Sequence, residues 1–373
     1  MRDFEIVVIG GGLVGLACAS ALAGAGHAVV VIERHGRLGQ ETSSRNSGVV
    51  HAGLYYPPGS LKMQLCLRGR ELLEAGAARG DFPLRRVGKL VVASTTSERA
   101  ALEALSRNAA ACGVEVEWIE GSRVPELEPN LRVEAALLSP TTGIIDPYEL
   151  LSFLRRRALA SGVTFALGTA VLGLLPRGPT GWTVATRGTD GTMAPVSCEW
   201  VINAAGLEAD RVAELAGLDV DAESLRQYPC KGDYFELSLR APCRVSRLVY
   251  PLPHGAGLGI HLTLDLAGGV RAGPDAEYVE SFDLSVDGGK RALFAAAIGR
   301  YLPGIRAEDL TPAFAGIRPK LARPGDGFRD FAVRHEAATG LPGLINLVGI
   351  DSPGLTASLA IGERVAQIIQ HAG

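Results

Sequence analysis

The chain opens on a short apolar run, Phe4 to Ile9, without the alternation of a half-exposed strand, and so predicts a strand covered on both faces as in a parallel sheet. Glycines follow at Gly10-Gly11-Gly12. Leu13 to Ala25 is then alanine-rich with helical spacing, and Gly26 stands where such a helix stops. His27 to Glu33 (HAVVVIE) is a second buried strand ending on an acid. Farther along, the pattern predicts a helix from Leu61 to Gly80, a strand from Val87 to Ala93, and a helix through Leu102 and Ala110 to Cys112. Val124-Pro125-Glu126-Leu127-Glu128-Pro129 reads as a connector bordering a domain. Tyr148 to Ala160 is helical, with Asp146 as N-cap and Pro147 in the first turn, and capping alone explains Asp146.

Val201 to Ala205 is an apolar strand ending in small residues at Gly206, before a helix from Leu207 to Ala216. Lys231 to Leu237, Ser246 to Pro251, Gly257 to Leu264 and Gly268 to Ala272 alternate apolar with polar and read as antiparallel strands of a second, sheet-rich domain. Helical periodicity occupies the later half of Glu280 to Tyr301. The chain closes with a strand at Leu344 to Gly349 and a helix running from the turn Asp351 to Thr356 as far as Ile369.

The first unit carries chemistry. Gly10, Gly12 and Gly15 form GxGxxG between a strand and a helix: Gly10 permits the tight turn, Gly12 lets backbone approach a pyrophosphate, and Gly15 lets the helix pack closely on the strand. Leu13 and Val14, at the positive end of the helix dipole, add backbone N–H groups for that pyrophosphate. Glu33, ending the second strand, suits ribose hydroxyls and disfavours a 2′-phosphate. A dinucleotide other than NADP follows, with FAD and NAD both open at this point.

Composition narrows the classes. With 373 residues, 47% of them hydrophobic, the chain has length for two cores, and two domains are expected. Balanced charge, 37 basic against 40 acidic residues, argues against nucleic acid. Six scattered cysteines without CxxC spacing read as reduced core thiols of a cytoplasmic protein, and no His/Cys/Asp cluster has ligand spacing, so no metal is expected. Acidic Asp3 and Glu5 before the first apolar run argue against an export signal, and no window reaches the roughly 18 apolar residues of a membrane span. Peripheral contact with the inner face of a membrane stays open.

The segment after Glu33 separates the two dinucleotides. Arg34 to Asn46 (RHGRLGQETSSRN) is rich in hydroxyl, amide and cationic groups and leads into SGVVHAGLYYPP. This stretch resembles the D-amino-acid oxidase superfamily of flavoproteins, and TSSRNSGVVHAGLYYPPGSLK is similar, more narrowly, to the L-2-hydroxyglutarate dehydrogenase/oxidase family. The resemblance implies noncovalent FAD wrapped by Arg34, Thr42, Ser43, Ser44, Asn46, Ser47, Gly48 and Val49, with His51 against the isoalloxazine. It also implies cofactor contacts at Ala170, Val171, Ala204, Ala205, Gly206 and Gly316, and at Pro353, Gly354, Leu355 and Thr356, where the last helix points N–H groups at the pyrimidine. The implied fold is α/β: a discontinuous Rossmann-type FAD-binding domain (residues 1–85, 145–225 and 312–373) and an α+β substrate domain with a mainly antiparallel sheet (86–144 and 226–311).

Oxidising a 2-hydroxy acid needs a cation for the carboxylate, a base for the hydroxyl proton and a flavin to accept hydride. AGIRPKL matches the GxRP strand of related amino-acid oxidases, which makes Arg318 the carboxylate ligand and a neighbour of the cofactor. Lys320, two residues on, shares its face and is either a second carboxylate ligand or a solvated lysine. For the base, His51 and His261 (GLGIHLTLD) compete, since a histidine near its ordinary pKa of roughly 6.5 is neutral at physiological pH. Tyr56 offers a substrate hydroxyl or simply packs. The resulting expectation is FAD-dependent oxidation of a 2-hydroxy acid, L-2-hydroxyglutarate or a similar dicarboxylate, to the 2-oxo acid. The alternatives are an amine or amino-acid oxidase of the glycine/sarcosine kind and a non-catalytic flavin-binding subunit. Oxygen, a quinone and another flavoprotein all stay open as electron acceptor.

Overall fold

Ile6–Ile9, with no solvent-facing position, is a central strand of a six-stranded sheet in a computed structural model that describes residues 2–252 and 259–372. Across this sheet the strands run Ala332–His335, Leu344–Val348, Trp200–Asn203, Ile6–Ile9, Val29–Glu33 and Thr164–Leu167. All neighbours are parallel except Ala332–His335, which runs antiparallel to Leu344–Val348. Successive strands leave Ile6–Ile9 on opposite sides, Val29–Glu33 on one and Trp200–Asn203 on the other. Their carboxyl ends therefore part into a crevice, the switch point at which open α/β sheets bind ligands.

One face of this sheet is covered by helices Leu13–Gly24, Leu61–Ala78 and Gly354–Ala372, whose Leu22, Leu65 and Ile361 share a buried cluster with Ile6, Val8 and Val31. The other face lies under an antiparallel sheet of Thr169–Arg177, Gly181–Gly188 and Met193–Cys198, with Leu174, Trp182 and Val184 packed on Val7, Ile9 and Ile32. The sequence reading does not anticipate this sheet. Asp146 caps helix Pro147–Ala160 as expected, its carboxylate accepting the Tyr148 N–H at 2.8 Å. Among the described residues no helix is long and apolar enough to cross a membrane. All six cysteines are buried and free.

A nine-stranded sheet forms the second layer, with strand order Glu277–Tyr278, Tyr228–Leu237, Val270–Ala272, Leu262–Leu264, Leu248–Pro251, Lys89–Ala93, Ala135–Ser139 and Glu117–Glu120, and with Leu310–Lys320 paired to Tyr228–Leu237. Its pairings are antiparallel with one exception: Leu248–Pro251 lies parallel to Lys89–Ala93. The strand expected over Gly257 to Leu264 falls partly outside the described residues, and of its described residues 259–264 only Leu262–Leu264 form a strand. Leu310–Lys320 is the seam between the two layers. It hydrogen-bonds within the nine-stranded sheet, yet at Gly316 it lies so close to the Arg45 carbonyl that an added Cβ would stand 2.1 Å from that oxygen.

Candidate active site

At the crevice lies a cavity of about 640 Å³, lined from both layers. Its floor is the glycine turn. Gly10 has φ +108°, and a Cβ there would meet the Ala204 carbonyl oxygen at 2.4 Å, so backbone of two parallel strands meets where a side chain cannot fit. A Cβ on Gly12 would come within 2.8 Å of Ser43 Oγ. Ser43 Oγ in turn accepts the Leu13 N–H at 2.9 Å, fixing the polar segment to the helix start. The buried Glu33 carboxylate accepts the Gly11 and His35 amides at 2.7 and 2.8 Å, which holds it at the end of its strand beside the turn.

The polar segment is held by its own side chains. Thr42 Oγ1 donates to the Ile317 carbonyl at 3.1 Å, Asn46 Nδ2 donates to the Ser43 carbonyl at 2.9 Å, and Ser47 Oγ lies 3.0 Å from the Tyr234 hydroxyl. Arg34 pairs with Glu41 and, at 3.9 Å, with Glu208. Arg45 lines the cavity with a buried Nε that has no hydrogen-bond partner among the described residues, a feature the sequence reading missed because a run of polar residues does not reveal which one is enclosed.

His51 sits between this segment and the last helix. Its backbone N–H donates to Thr356 Oγ1 at 3.0 Å, the Thr356 hydroxyl donates to the Val49 carbonyl at 3.2 Å, and Ser352 Oγ is 3.4 Å from His51 Nε2. Nδ1 is buried without a hydrogen-bond partner among the described residues. Burial, aided by the charge of Lys89, pushes the imidazole down to about 3, so it is neutral across the physiological range. His261 lies across the cavity, stacked on Tyr250 with ring centroids 3.5 Å apart and planes 12° from parallel.

Arg318 lines the same cavity. Its Nε donates to the Cys230 carbonyl at 3.2 Å and Nη2 to the carbonyls of Lys231 and Asp275 at 3.0 and 2.5 Å, while Nη1 makes no hydrogen bond to the described residues. The guanidinium is thus fixed along one edge, with donor capacity left for an anion.

Most of the sequence-selected positions line this cavity: Gly10, Gly12, Leu13, Val14, Glu33, Arg34, Thr42, Ser43, Asn46 to Val49, His51, Ala170, Val171, Ala204 to Gly206, His261, Gly316, Arg318 and Pro353 to Leu355. Five do not. Gly15 is packed beneath the turn against the Gly10 carbonyl, Ser44 Oγ donates to the Glu41 carbonyl, and Thr356 is buried against the backbone of Val49 and His51. Tyr56 is buried behind the wall, hydrogen-bonded to the cavity-lining Ser352, and Lys320, which lies over the Tyr278 ring at 5.8 Å, does not line the cavity. Tyr234, Tyr250 and Ser352, to which the sequence reading gives no substrate or cofactor role, also line it.

A strand–glycine turn–helix with a buried acid at the next strand end, a long polar wrap and a closing helix suits a dinucleotide. The chain belongs to the FAD-dependent oxidoreductases: the family described as FAD dependent oxidoreductase matches residues 5–368. More particularly, it is 38% identical to the mitochondrial L-2-hydroxyglutarate dehydrogenase of Arabidopsis thaliana, over 97% of this chain and 82% of that protein. It is 30% identical to the mitochondrial L-2-hydroxyglutarate dehydrogenase of Homo sapiens, over 99% of this chain and 89% of that protein. The FAD-bound L-alpha-glycerophosphate oxidase of Mycoplasma pneumoniae superposes with a TM-score of 0.88 at 25% identity, covering 99% of this chain and 95% of that one. A glycine oxidase from Geobacillus kaustophilus shares the fold, with a TM-score of 0.82 at 23% identity over 100% and 95% of the two chains.

Proposed function

We propose that the protein oxidises L-2-hydroxyglutarate, or a 2-hydroxy dicarboxylate of similar length, to the 2-oxo acid on noncovalently held FAD. The observation that carries this reading is the convergence of Arg318, His51 and His261, from three distant segments, on the one cavity that also holds the glycine turn. Bound FAD supplies the acceptor for two electrons and the α-hydrogen. Arg318, tied to three backbone carbonyls, presents its remaining N–H groups to the substrate carboxylate. The neutral His51 imidazole takes the hydroxyl proton, with Ser352 Oγ holding the ring in place. His261, rigid on Tyr250, donates to or accepts from the hydroxyl from the opposite wall. The relatives named for L-2-hydroxyglutarate support the substrate.

Turnover with an artificial dye acceptor, followed by identification of the keto product, tests the substrate class. L-2-hydroxyglutarate is expected to exceed its D enantiomer, L-lactate, glycerol 3-phosphate, glycine and sarcosine in kcat/KM by at least about tenfold, the discrimination that a missing carboxylate or inverted centre imposes. Faster turnover of glycine or sarcosine contradicts the proposal.

A further inference from the structure

Behind Arg318, outside the cavity, three carboxylates converge on one lysine. Lys290 closes the turn Gly288–Lys290, and its ammonium donates to Asp275 Oδ2 and Glu277 Oε2, each at 2.8 Å, and stands 3.0 Å from Oδ2 of the wholly buried Asp233. Asp275 joins this cluster to the carboxylate site. Its backbone carbonyl accepts Arg318 Nη2 at 2.5 Å, while its carboxylate is tied elsewhere: Oδ1 accepts the Asp233 N–H at 2.7 Å and Oδ2 accepts Lys290. Gly232 makes room for the junction, since an added Cβ there would stand 2.9 Å from both Arg318 Nη2 and the Asp275 carbonyl oxygen. The other ammonium of the cluster, that of Lys231, faces Asp233 at 3.8 Å and Asp283 at 4.0 Å, so among the described residues Lys290 is the cation that pairs with Asp275.

Arg318 is thereby anchored without being neutralised. Its three partners are backbone carbonyls, dipoles that fix the guanidinium and leave its charge to a ligand. A carboxylate able to cancel that charge nevertheless belongs to the very residue whose carbonyl touches Nη2. Only the side-chain torsion of Asp275 decides whether its carboxylate meets Lys290 or turns to the guanidinium. An arginine–carboxylate pair formed there would take up the donors that a substrate needs. We infer that Lys290 is a positioning residue of the carboxylate site: its ammonium holds the Asp275 carboxylate away from Arg318, so that the guanidinium stays open to the substrate. The inference rests on the assignment of Arg318 as carboxylate ligand. Asp233 and Glu277 act in the same cluster as fixed anions, repelling the Asp275 carboxylate, and it is the lysine that makes their convergence tenable.

The test compares the FAD-loaded parent with Lys290→Met, Lys290→Arg and the double variant Lys290→Met with Asp275→Asn. In Lys290→Met, the KM for L-2-hydroxyglutarate and the Kd for 2-oxoglutarate, read from the flavin absorbance change on titration, are each expected to rise about tenfold, the scale of one hydrogen bond to a charged group. FAD content and the rate of flavin reduction at saturating substrate should stay at the parental level. Lys290→Arg, which keeps the charge, should leave both constants near their parental values. The double variant should bring them back as well, because an amide at position 275 cannot cancel the guanidinium while the anchoring backbone carbonyl remains. A lysine that only stabilises the fold would leave the double variant no better than Lys290→Met, and that result overturns the inference. Unchanged constants in Lys290→Met do the same. Should Lys290→Met not fold, Lys290→Gln gives the same comparison: raised constants relieved by Asp275→Asn support the inference, and unchanged or unrelieved constants overturn it. Arg318→Ala separates this claim from the one beneath it. An unchanged Kd for 2-oxoglutarate in Arg318→Ala refutes the carboxylate site itself, whereas a raised Kd there beside unchanged constants in Lys290→Met refutes only the role of Lys290.

Discussion

His51→Gln is expected to lower kcat by roughly a hundred- to ten-thousandfold while leaving FAD bound, the range that loss of a positioned general base produces. Glutamine keeps the backbone N–H that donates to Thr356 Oγ1 and can still reach Ser352, so the junction between the polar segment and the last helix survives. What it removes is the imidazole lone pair that takes the hydroxyl proton in the proposed scheme. Stopped-flow flavin reduction with saturating substrate checks this. A rate within threefold of the parent would mean that His51 only packs, and attention would pass to His261.

Arg318→Ala is expected to raise KM for a 2-hydroxy dicarboxylate by about a hundredfold or more, the loss that follows truncation of one partner in an enclosed hydrogen-bonded charge pair. The substrate carboxylate loses the charge and the Nη1 donors left over by the guanidinium, while the carbonyls of Cys230, Lys231 and Asp275 lose a donor, which costs stability in the unliganded protein as well. Arg318→Lys should recover only part of the affinity, because an ammonium cannot be anchored to three backbone carbonyls and still present donors to the substrate. FAD content measured by absorbance should stay at the parental level in both variants. Unchanged KM in Arg318→Ala would remove the arginine from the carboxylate site.

What was legible in the sequence was local. The first strand, glycine turn, helix and acid-terminated second strand are set by apolar runs and glycines within about thirty residues, and the structure departs from the reading only at the element ends. The C-terminal turn and helix were legible for the same reason. The sheet of Thr169–Arg177, Gly181–Gly188 and Met193–Cys198 was not, because its alternate positions are mostly half-exposed, with Leu175 and Met193 facing solvent, and no strong period survives. Val49–Val50, Leu84–Arg86 and Gly143–Ile145 pair into a small sheet from strands too short to carry a period.

The site divides in the same way. Arg318, singled out by its strand motif, lines the cavity, whereas Lys320, selected with it by the shared-face rule, does not, because the rule says nothing about where a cavity ends. Lys320 is the last residue of its strand, paired with Tyr228, and roughly 7 Å of strand rise carries it past the cavity edge. Tyr250 and Lys89 meet through the parallel pairing of Leu248–Pro251 with Lys89–Ala93, a contact between segments about 160 residues apart that periodicity cannot reveal. A lysine at the head of an apolar strand reads as solvent-facing until that pairing and the Tyr55 ring close over it.

The central claim is that one cavity joins FAD to a 2-hydroxy acid held by Arg318 and His51. Its most direct test is anaerobic mixing of the FAD-loaded protein with L-2-hydroxyglutarate, followed by flavin absorbance and by quantification of the keto acid released. The account predicts complete bleaching of the oxidised flavin with one 2-oxoglutarate formed per flavin. Bleaching by amino acids alone, with the flavin left oxidised in L-2-hydroxyglutarate, would contradict it.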